Sequence, residues 1–268
     1  MVADAQSFSP SAGKPRLAVD SWRSRFSSIE IREPEPATVE QLCLAHDRAY
    51  VRGVLDGVIE NGFGNRLAVV AATLPYTNGA MLAAARAALL DGVAVAPVSG
   101  FHHACYECGG GYCTFNGLIV AARVLREAGA VRRVGILDFD EHYGNGTVDI
   151  IKRLKLDFIE HYSAGGEWLD DPDKAPEFLA QIPHIMQRFV GCDVLLYQAG
   201  ADPHIDDPLG GWLTTEQLRE RDRLVFTHSK AMRLPVAWNL AGGYQTPLRK
   251  VLDIHDNTMR ECLAVYVA

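Results

Sequence analysis

The sequence lacks any run of about 18 consecutive apolar residues, so no bilayer-crossing helix is expected. It is short of cysteine: the six thiols (Cys43, Cys105, Cys108, Cys113, Cys192 and Cys262) in 268 residues do not have the look of a disulfide scaffold, and reduced thiols are the expectation. Positive charge is not in excess, since 26 Lys and Arg stand against 33 Asp and Glu for a formal net charge of −7. That balance argues against an electrostatic grip on nucleic acid and permits a cationic partner. Internal repeats, low-complexity linkers and a Gly-x-Ser-x-Gly nucleophile elbow are missing, and Gly109-Gly-Gly111 has no following Lys-Ser/Thr to make a phosphate loop. Residues 1–16 are rich in Ser, Pro, Ala and Gly and carry no apolar stretch of a secretory signal. They read as a flexible leader before one domain over 17–268, in a cytoplasmic protein.

What is present is hydrophobic residue in quantity, 48% of the chain, enough for one extended core. Short apolar runs alternate with longer stretches of helical period, which predicts an α/β fold of three layers, α/β/α, around a mostly parallel central sheet. Strands are expected at 67–71, 93–98, 134–137, 156–159, 193–197 and 235–240. Helices are expected at 38–58, 78–90, 116–128, 174–189, 214–230 and 247–265, with Thr214 as an N-cap and Gly129 near a C-terminus. The segments densest in Gly, Pro, His and Asp (99–111, 138–146, 200–212 and 241–247) each follow an expected strand. In an open α/β sheet the carboxyl ends of the strands are where sites form, so these four loops are expected to build one site.

The sharpest chemistry lies in Ile136-Leu-Asp-Phe-Asp-Glu-His-Tyr-Gly-Asn-Gly-Thr147. Asp138, Asp140 and His142 alternate, and an extended backbone puts alternate side chains on one side. Asp202, in Ala199-Gly-Ala-Asp-Pro-His204, follows another strand. Asp140, His142 and Asp202 would offer one nitrogen and two carboxylate oxygens to a metal ion, with a fourth position open for water. Two carboxylates neutralise a dication and leave its water less acidic than a three-histidine set would, so a separate general base is needed. His102 and His103, in tandem after a glycine, supply candidates. Asp138, if not a ligand, could orient one of these rings. Tyr244, in Asn239-Leu-Ala-Gly-Gly-Tyr-Gln245, could donate a hydrogen bond to a developing oxyanion.

Gly100-Phe-His-His-Ala104, Gly110-Gly-Tyr-Cys-Thr-Phe-Asn116, Asp138-Phe-Asp-Glu-His-Tyr-Gly-Asn-Gly-Thr147, Gln198-Ala-Gly-Ala-Asp202, Asp207-Pro-Leu-Gly-Gly211 and Leu240-Ala-Gly-Gly-Tyr244 occur in that order. With a weaker match at Ala37 to Leu42, His46, Asp47, Tyr50 and Val51, the chain resembles the histone deacetylase and acetylpolyamine amidohydrolase superfamily, of arginase-like fold. The resemblance implies a Zn2+ (or Fe2+) held by Asp140, His142 and Asp202. It implies a catalytic pair in His102 and His103, with His103 the proton shuttle, and a carbonyl-polarising Tyr244. It also implies an acyl-lysine channel walled by Gly111 and Tyr112, and a K+ site involving Asp138, which would also support His102. Leu209 stands where polyamine-selective relatives place a glutamate. Phe158-Ile-Glu-His-Tyr-Ser-Ala164 replaces the family's Ser-x-His stretch.

The expected activity is thus removal of an acetyl or other acyl group from a lysine-like amine, the partner being an acylated lysine peptide or a small acylated amine such as an acetylpolyamine. Neither nucleic acid nor a membrane is expected as a partner. Two other readings compete: a binuclear manganese ureohydrolase, which needs more ligands than these motifs carry, and a non-catalytic acyl-lysine binder. Cys105-Tyr-Glu-Cys108 suggests a zinc or redox pair in isolation, but no second pair follows at ribbon spacing.

Overall fold

A computed structural model of the chain describes residues 4–168 and 171–267. Five strands, β1 (Val93–Ala96), β2 (Val134–Asp138), β3 (Ile159–Ser163), β4 (Val194–Gln198) and β5 (Val236–Asn239), form one sheet in the order β1-β5-β4-β2-β3, every pair parallel. The helices are α1 (Lys14–Arg25), α2 (Val39–Leu42), α3 (Arg48–Leu55), α4 (Ala68–Ala71), α5 (Leu74–Asp91), α6 (Gly117–Glu127), α7 (Asn145–Leu154), α8 (Ala175–Gln187), α9 (Thr215–Met232) and α10 (Arg249–Tyr266).

Alternate strand residues serve opposite faces, as the pleat requires. Val134, Ile136, Val194, Leu196 and Ala237 pack with α2, α3, α5 and α6, whereas Leu137, Leu195, Tyr197, Val236 and Trp238 pack with α1, α8, α9 and α10. Strands buried on both faces need apolar residues at every position, and β2 and β4 read Val-Gly-Ile-Leu-Asp and Val-Leu-Leu-Tyr-Gln, buried throughout. The three-layer α/β/α architecture with a parallel sheet is as expected.

Several local expectations differ. The run at 67–71 is not a strand: α4 occupies it, with Val70 and Ala71 buried and Val69 60% exposed, a one-sided pattern that a short apolar run does not distinguish from a buried strand. The strand expected at 156–159 lies at Ile159–Ser163, because Lys155 ends α7 in a left-handed conformation and Leu156 is spent as a buried anchor before pairing begins. As an edge strand, β3 tolerates Glu160 and His161, which masked it. The helix expected over 38–58 is broken in two. Asp47 accepts hydrogen bonds from the N–H groups of Ala49 and Tyr50 and so starts α3 afresh after α2. Helix α7, within a glycine-rich loop, was not expected at all.

The loose leader expected over residues 1–16 also meets a packed segment. Ser9, Ser11 and Lys14 are buried, and α1 begins at Lys14. By length and composition the helical stretch Ala68–Asp91 would suffice to cross a membrane, unlike the expectation from apolar runs, but half of it is buried and α5 packs on α6, β1 and β5.

Candidate metal centre and active site

The four neighbouring strands β1, β5, β4 and β2 all run the same way, so the loops that leave their carboxyl ends meet at one edge. Asp138 is the last residue of β2, and the chain then turns to present Asp140 and His142. Asp202 comes four residues after β4, His102 and His103 come from the loop after β1, and Tyr244 from the loop after β5.

Ligand atoms of Asp140, His142 and Asp202 all lie within 4.8 Å of one another. His142 Nδ1 stands 3.4 Å from Asp140 Oδ1 and 3.3 Å from Asp202 Oδ2. Both aspartates are buried, at 3% and 0% exposure. Two carboxylates facing each other out of water repel, and a cation between them relieves that cost. The backbone is cut to fit the cluster: a Cβ on Gly242 would fall 2.0 Å from Asp202 Oδ2, and one on Gly200 2.5 Å from Asp202 Oδ1. Gly242 N–H also donates to Asp140 Oδ2 at 2.9 Å. Burial and the neighbouring Asp140 push Asp202 up to about 7. Asp140 stays ionised at low pH, because His102 and His142 outweigh the effect of its burial. A nitrogen and two carboxylates, with one side facing a cleft, suit a divalent ion of the zinc or ferrous type.

Asp138 is outside that cluster. Its Oδ2 accepts the Nδ1–H of His102 at 2.8 Å, and its Oδ1 accepts from Asp140 N–H at 3.2 Å and Gln198 Nε2 at 3.3 Å. Burial alone would lower the pKa of His102, yet Asp138 and Asp140 raise it to about 9. His103 is its opposite: burial, then the charge on His102, lower it, which keeps the ring neutral near pH 7. Its Nδ1–H donates to Asn145 Oδ1 at 2.6 Å, leaving Nε2 without a proton. The two rings are 4.0 Å apart between centroids.

A narrow cleft opens over the cluster, lined by Ser11, His102, Gly111, Tyr112, Asp140 and Tyr244 among others. Gly111, at φ 51°, must be glycine, since a Cβ there would lie 2.3 Å from the His103 ring. Burial and the charges of Asp202 and Asp140 push the Tyr244 phenol far up, so it keeps its proton. Asp207 accepts from Tyr244 N–H at 2.8 Å and from Leu209 N–H at 3.1 Å, coupling the Tyr244 loop to the loop that carries Leu209, itself 37% exposed.

All ten residues singled out from the sequence therefore gather at this edge of the sheet. Several others do so that the sequence did not flag. Lys14 is fully buried and donates from Nζ to the carbonyls of Ala241 (2.7 Å) and Gly242 (3.1 Å), bracing the Tyr244 loop from behind. Arg221, also fully buried, donates to the carbonyls of Phe139 (3.0 Å) and Gly200 (2.8 Å). Asn145 was in a quoted motif without a role, while Lys14 lay in the expected leader and Arg221 in ordinary helical sequence, neither with a local signal. The thiols of Cys105 and Cys108 are free, and Cys105 Sγ lies 3.7 Å from the carbonyl of His103.

The family model "Histone deacetylase domain" matches residues 14–158, just over half of the chain. The chain is 29% identical over 260 residues to an uncharacterised protein of Picosynechococcus sp., covering 88% of this chain and 86% of that one. It is 29% identical over 242 residues to the chloroplastic Histone deacetylase 10 of Oryza sativa subsp. japonica, covering 73% of this chain but 54% of the rice protein. The chain thus spans about half the length of that relative. The crystal structure of an acetylpolyamine aminohydrolase from Burkholderia pseudomallei superposes with a TM-score of 0.71 at 19% identity, over 95% of this chain and 91% of that one, which shows a shared fold.

Proposed function

The chain belongs to the histone deacetylase and acetylpolyamine amidohydrolase superfamily, and on that premise we propose that it is a zinc-dependent amidohydrolase that removes an acetyl or other acyl group from a lysine-like amine. The observation that carries this reading is the Asp140–His142–Asp202 cluster, both carboxylates buried, beneath a cleft lined by His102 and the protonated Tyr244 phenol, with the neutral His103 ring 4.0 Å from that of His102.

A divalent ion held by these three residues would supply Lewis acidity and lower the pKa of water within its reach. The chain's own groups do the rest. His103 accepts at Nε2 the proton of the water that attacks the amide carbonyl, because Nδ1–H is already committed to Asn145. It then returns that proton to the departing amine. His102, locked to Asp138 and charged, stabilises negative charge as it develops, and Tyr244 donates its hydroxyl proton in a hydrogen bond to the carbonyl oxygen. Asp138 accepts from three protein donors, His102 Nδ1–H among them, which gives it the role of orienting the His102 ring. Ferrous iron accepts the same donor set as zinc.

The test is acetate release from an acetyl-lysine peptide and from acetylputrescine, with metal-loaded protein, before and after chelation. Chelator-sensitive release with one ion per chain is expected. Two ions per chain would point to ureohydrolase chemistry, and no release across several acyl groups would leave an acyl-lysine binder.

A further inference from the structure

Arg221 of α9 is fully buried and lies outside the cleft, yet one of its nitrogens holds both loops that carry the carboxylate ligands. Its Nη1 donates to the carbonyl of Phe139 at 3.0 Å and to that of Gly200 at 2.8 Å. A peptide unit is planar, so a carbonyl fixed on one side aims the N–H on the other. The N–H opposite the Phe139 carbonyl belongs to Asp140 and donates to Asp138 Oδ1 at 3.2 Å. The N–H opposite the Gly200 carbonyl belongs to Ala201 and donates to the Gly242 carbonyl at 3.1 Å. The peptide planes just before Asp140 and Asp202 are thus pinned at both ends, and Arg221 supplies the carbonyl end of each.

The two loops are in close contact at Gly200. A Cβ there would lie 2.8 Å from Asp140 Cα and 2.5 Å from Asp202 Oδ1, so a small shift of Gly200 disturbs both ligands. The guanidinium is itself fixed from behind. Its Nε donates to Asp222 Oδ1 at 2.9 Å, and Asp222 also accepts from Tyr197 Oη at 2.5 Å and Thr258 Oγ1 at 2.6 Å. Without a cation between them Asp140 and Asp202 repel, and loops free to part would part. Loss of Arg221 would also leave two buried carbonyls without their donor. Resting on the metal-centre reading above, we infer that Arg221 is a positioning residue. It fixes the spacing of Asp140 and Asp202 from outside the cleft, so that the ligand set stands ready before a divalent ion arrives.

The experiment measures binding of Co2+ to the whole chain and to its Arg221→Met, Arg221→Lys and Thr258→Val variants, by competition with a chelating dye. The visible spectrum of the bound ion and the melting temperature are read alongside. Arg221→Met should weaken binding by about tenfold to a hundredfold, the usual cost of losing a group that orients a metal ligand. Its Co2+ spectrum should change as the two carboxylates move apart. Arg221→Lys keeps the charge on a shorter side chain and should fall between. Thr258→Val removes a hydrogen bond from the far side of Asp222, so it should lower the melting temperature without a measurable loss of affinity. Should Arg221→Met not fold, Arg221→Lys takes its place. Wild-type affinity and spectrum in the Arg221 variant that folds, or an equal loss of affinity in Thr258→Val, overturns the assignment. A wild type that takes up no ion would bring down the metal-centre reading and this role with it. The expected pattern without acetate release from metal-loaded protein would sink the deacetylase reading and leave the role of Arg221 standing.

Discussion

The floor of the cleft and its mouth are built on opposite principles. On the floor, Asp138, Asp202, His102 and Asp140 are at most 3% exposed, and each is held by other protein groups. At the mouth, Phe8 and Leu209 are 65% and 37% exposed and are placed by the N-terminal segment and by a loop. Proton transfer and charge stabilisation demand atoms fixed to fractions of an ångström, which strand ends and buried hydrogen bonds provide. Recognition needs surface that a substrate can reach, and loops on a rigid scaffold provide that. The same edge of one sheet thus carries a stiff chemical floor and an adaptable rim.

If that division is real, variants of the floor should cost far more than variants of the mouth. The largest effect is expected from Asp202→Ala, which leaves two ligands: bound metal should drop from one per chain toward zero, and turnover by about a thousandfold or more. Metal analysis beside kinetics checks this, and a variant that keeps a full complement of metal would break the floor as drawn. Next come Tyr244→Phe and His103→Ala, each expected to lower kcat by about a hundredfold with metal content unchanged. Near-normal rates in both would remove the acid–base and oxyanion roles.

A third effect concerns the support of the floor. His46 accepts Asn116 N–H at Nε2 (2.7 Å) and donates from Nδ1 to the carbonyl of Cys105 (2.9 Å), tying together the loop that follows the histidine pair and the start of α6. Burial lowers its pKa to about 4. Between the ordinary value of about 6.5 and that figure, the unfolded imidazole takes a proton that the folded one refuses. The stability held by neutral His46 is therefore complete above about pH 6.5 and drains as pH falls toward 4, by about 3 kcal/mol at most. Urea unfolding of wild type and His46→Gln across this window measures it, and an identical pH slope in the two would discard the assignment. The smallest effect belongs to the mouth: Leu209→Glu should raise kcat/KM for acetylputrescine by about tenfold or less, leaving metal content and thermal stability unaltered. A larger change, or lost metal, would mean that floor and mouth are not separable.

The two regions also differed in how far they could be read from the residues alone. The floor is local in sequence: Asp138, Asp140 and His142 alternate within five positions, and His102 and His103 are adjacent. The glycines at 200, 111 and 242 are forced by close approach to Asp202, His103 and Asp202 in turn. The mouth is not local. Phe8, Phe63, Tyr112 and Tyr244 meet only because the chain folds, and nothing near Phe8 distinguishes it from a leader residue. Lys14 and Arg221 were hidden for a related reason. A lysine in a presumed leader or an arginine in a helix reads as a solvated side chain, and only packing turned both inward onto carbonyls of the site loops.

By itself the sequence determined the layered α/β fold, since doubly buried parallel strands require continuous apolar runs, and it determined the donor set, since metal and proton chemistry require particular atoms at short spacing. Only the tertiary structure decided which carboxylates face one another, which imidazole stays neutral and what walls the cleft. Those properties depend on burial and on distances between segments far apart in the chain, which no local pattern of residues encodes.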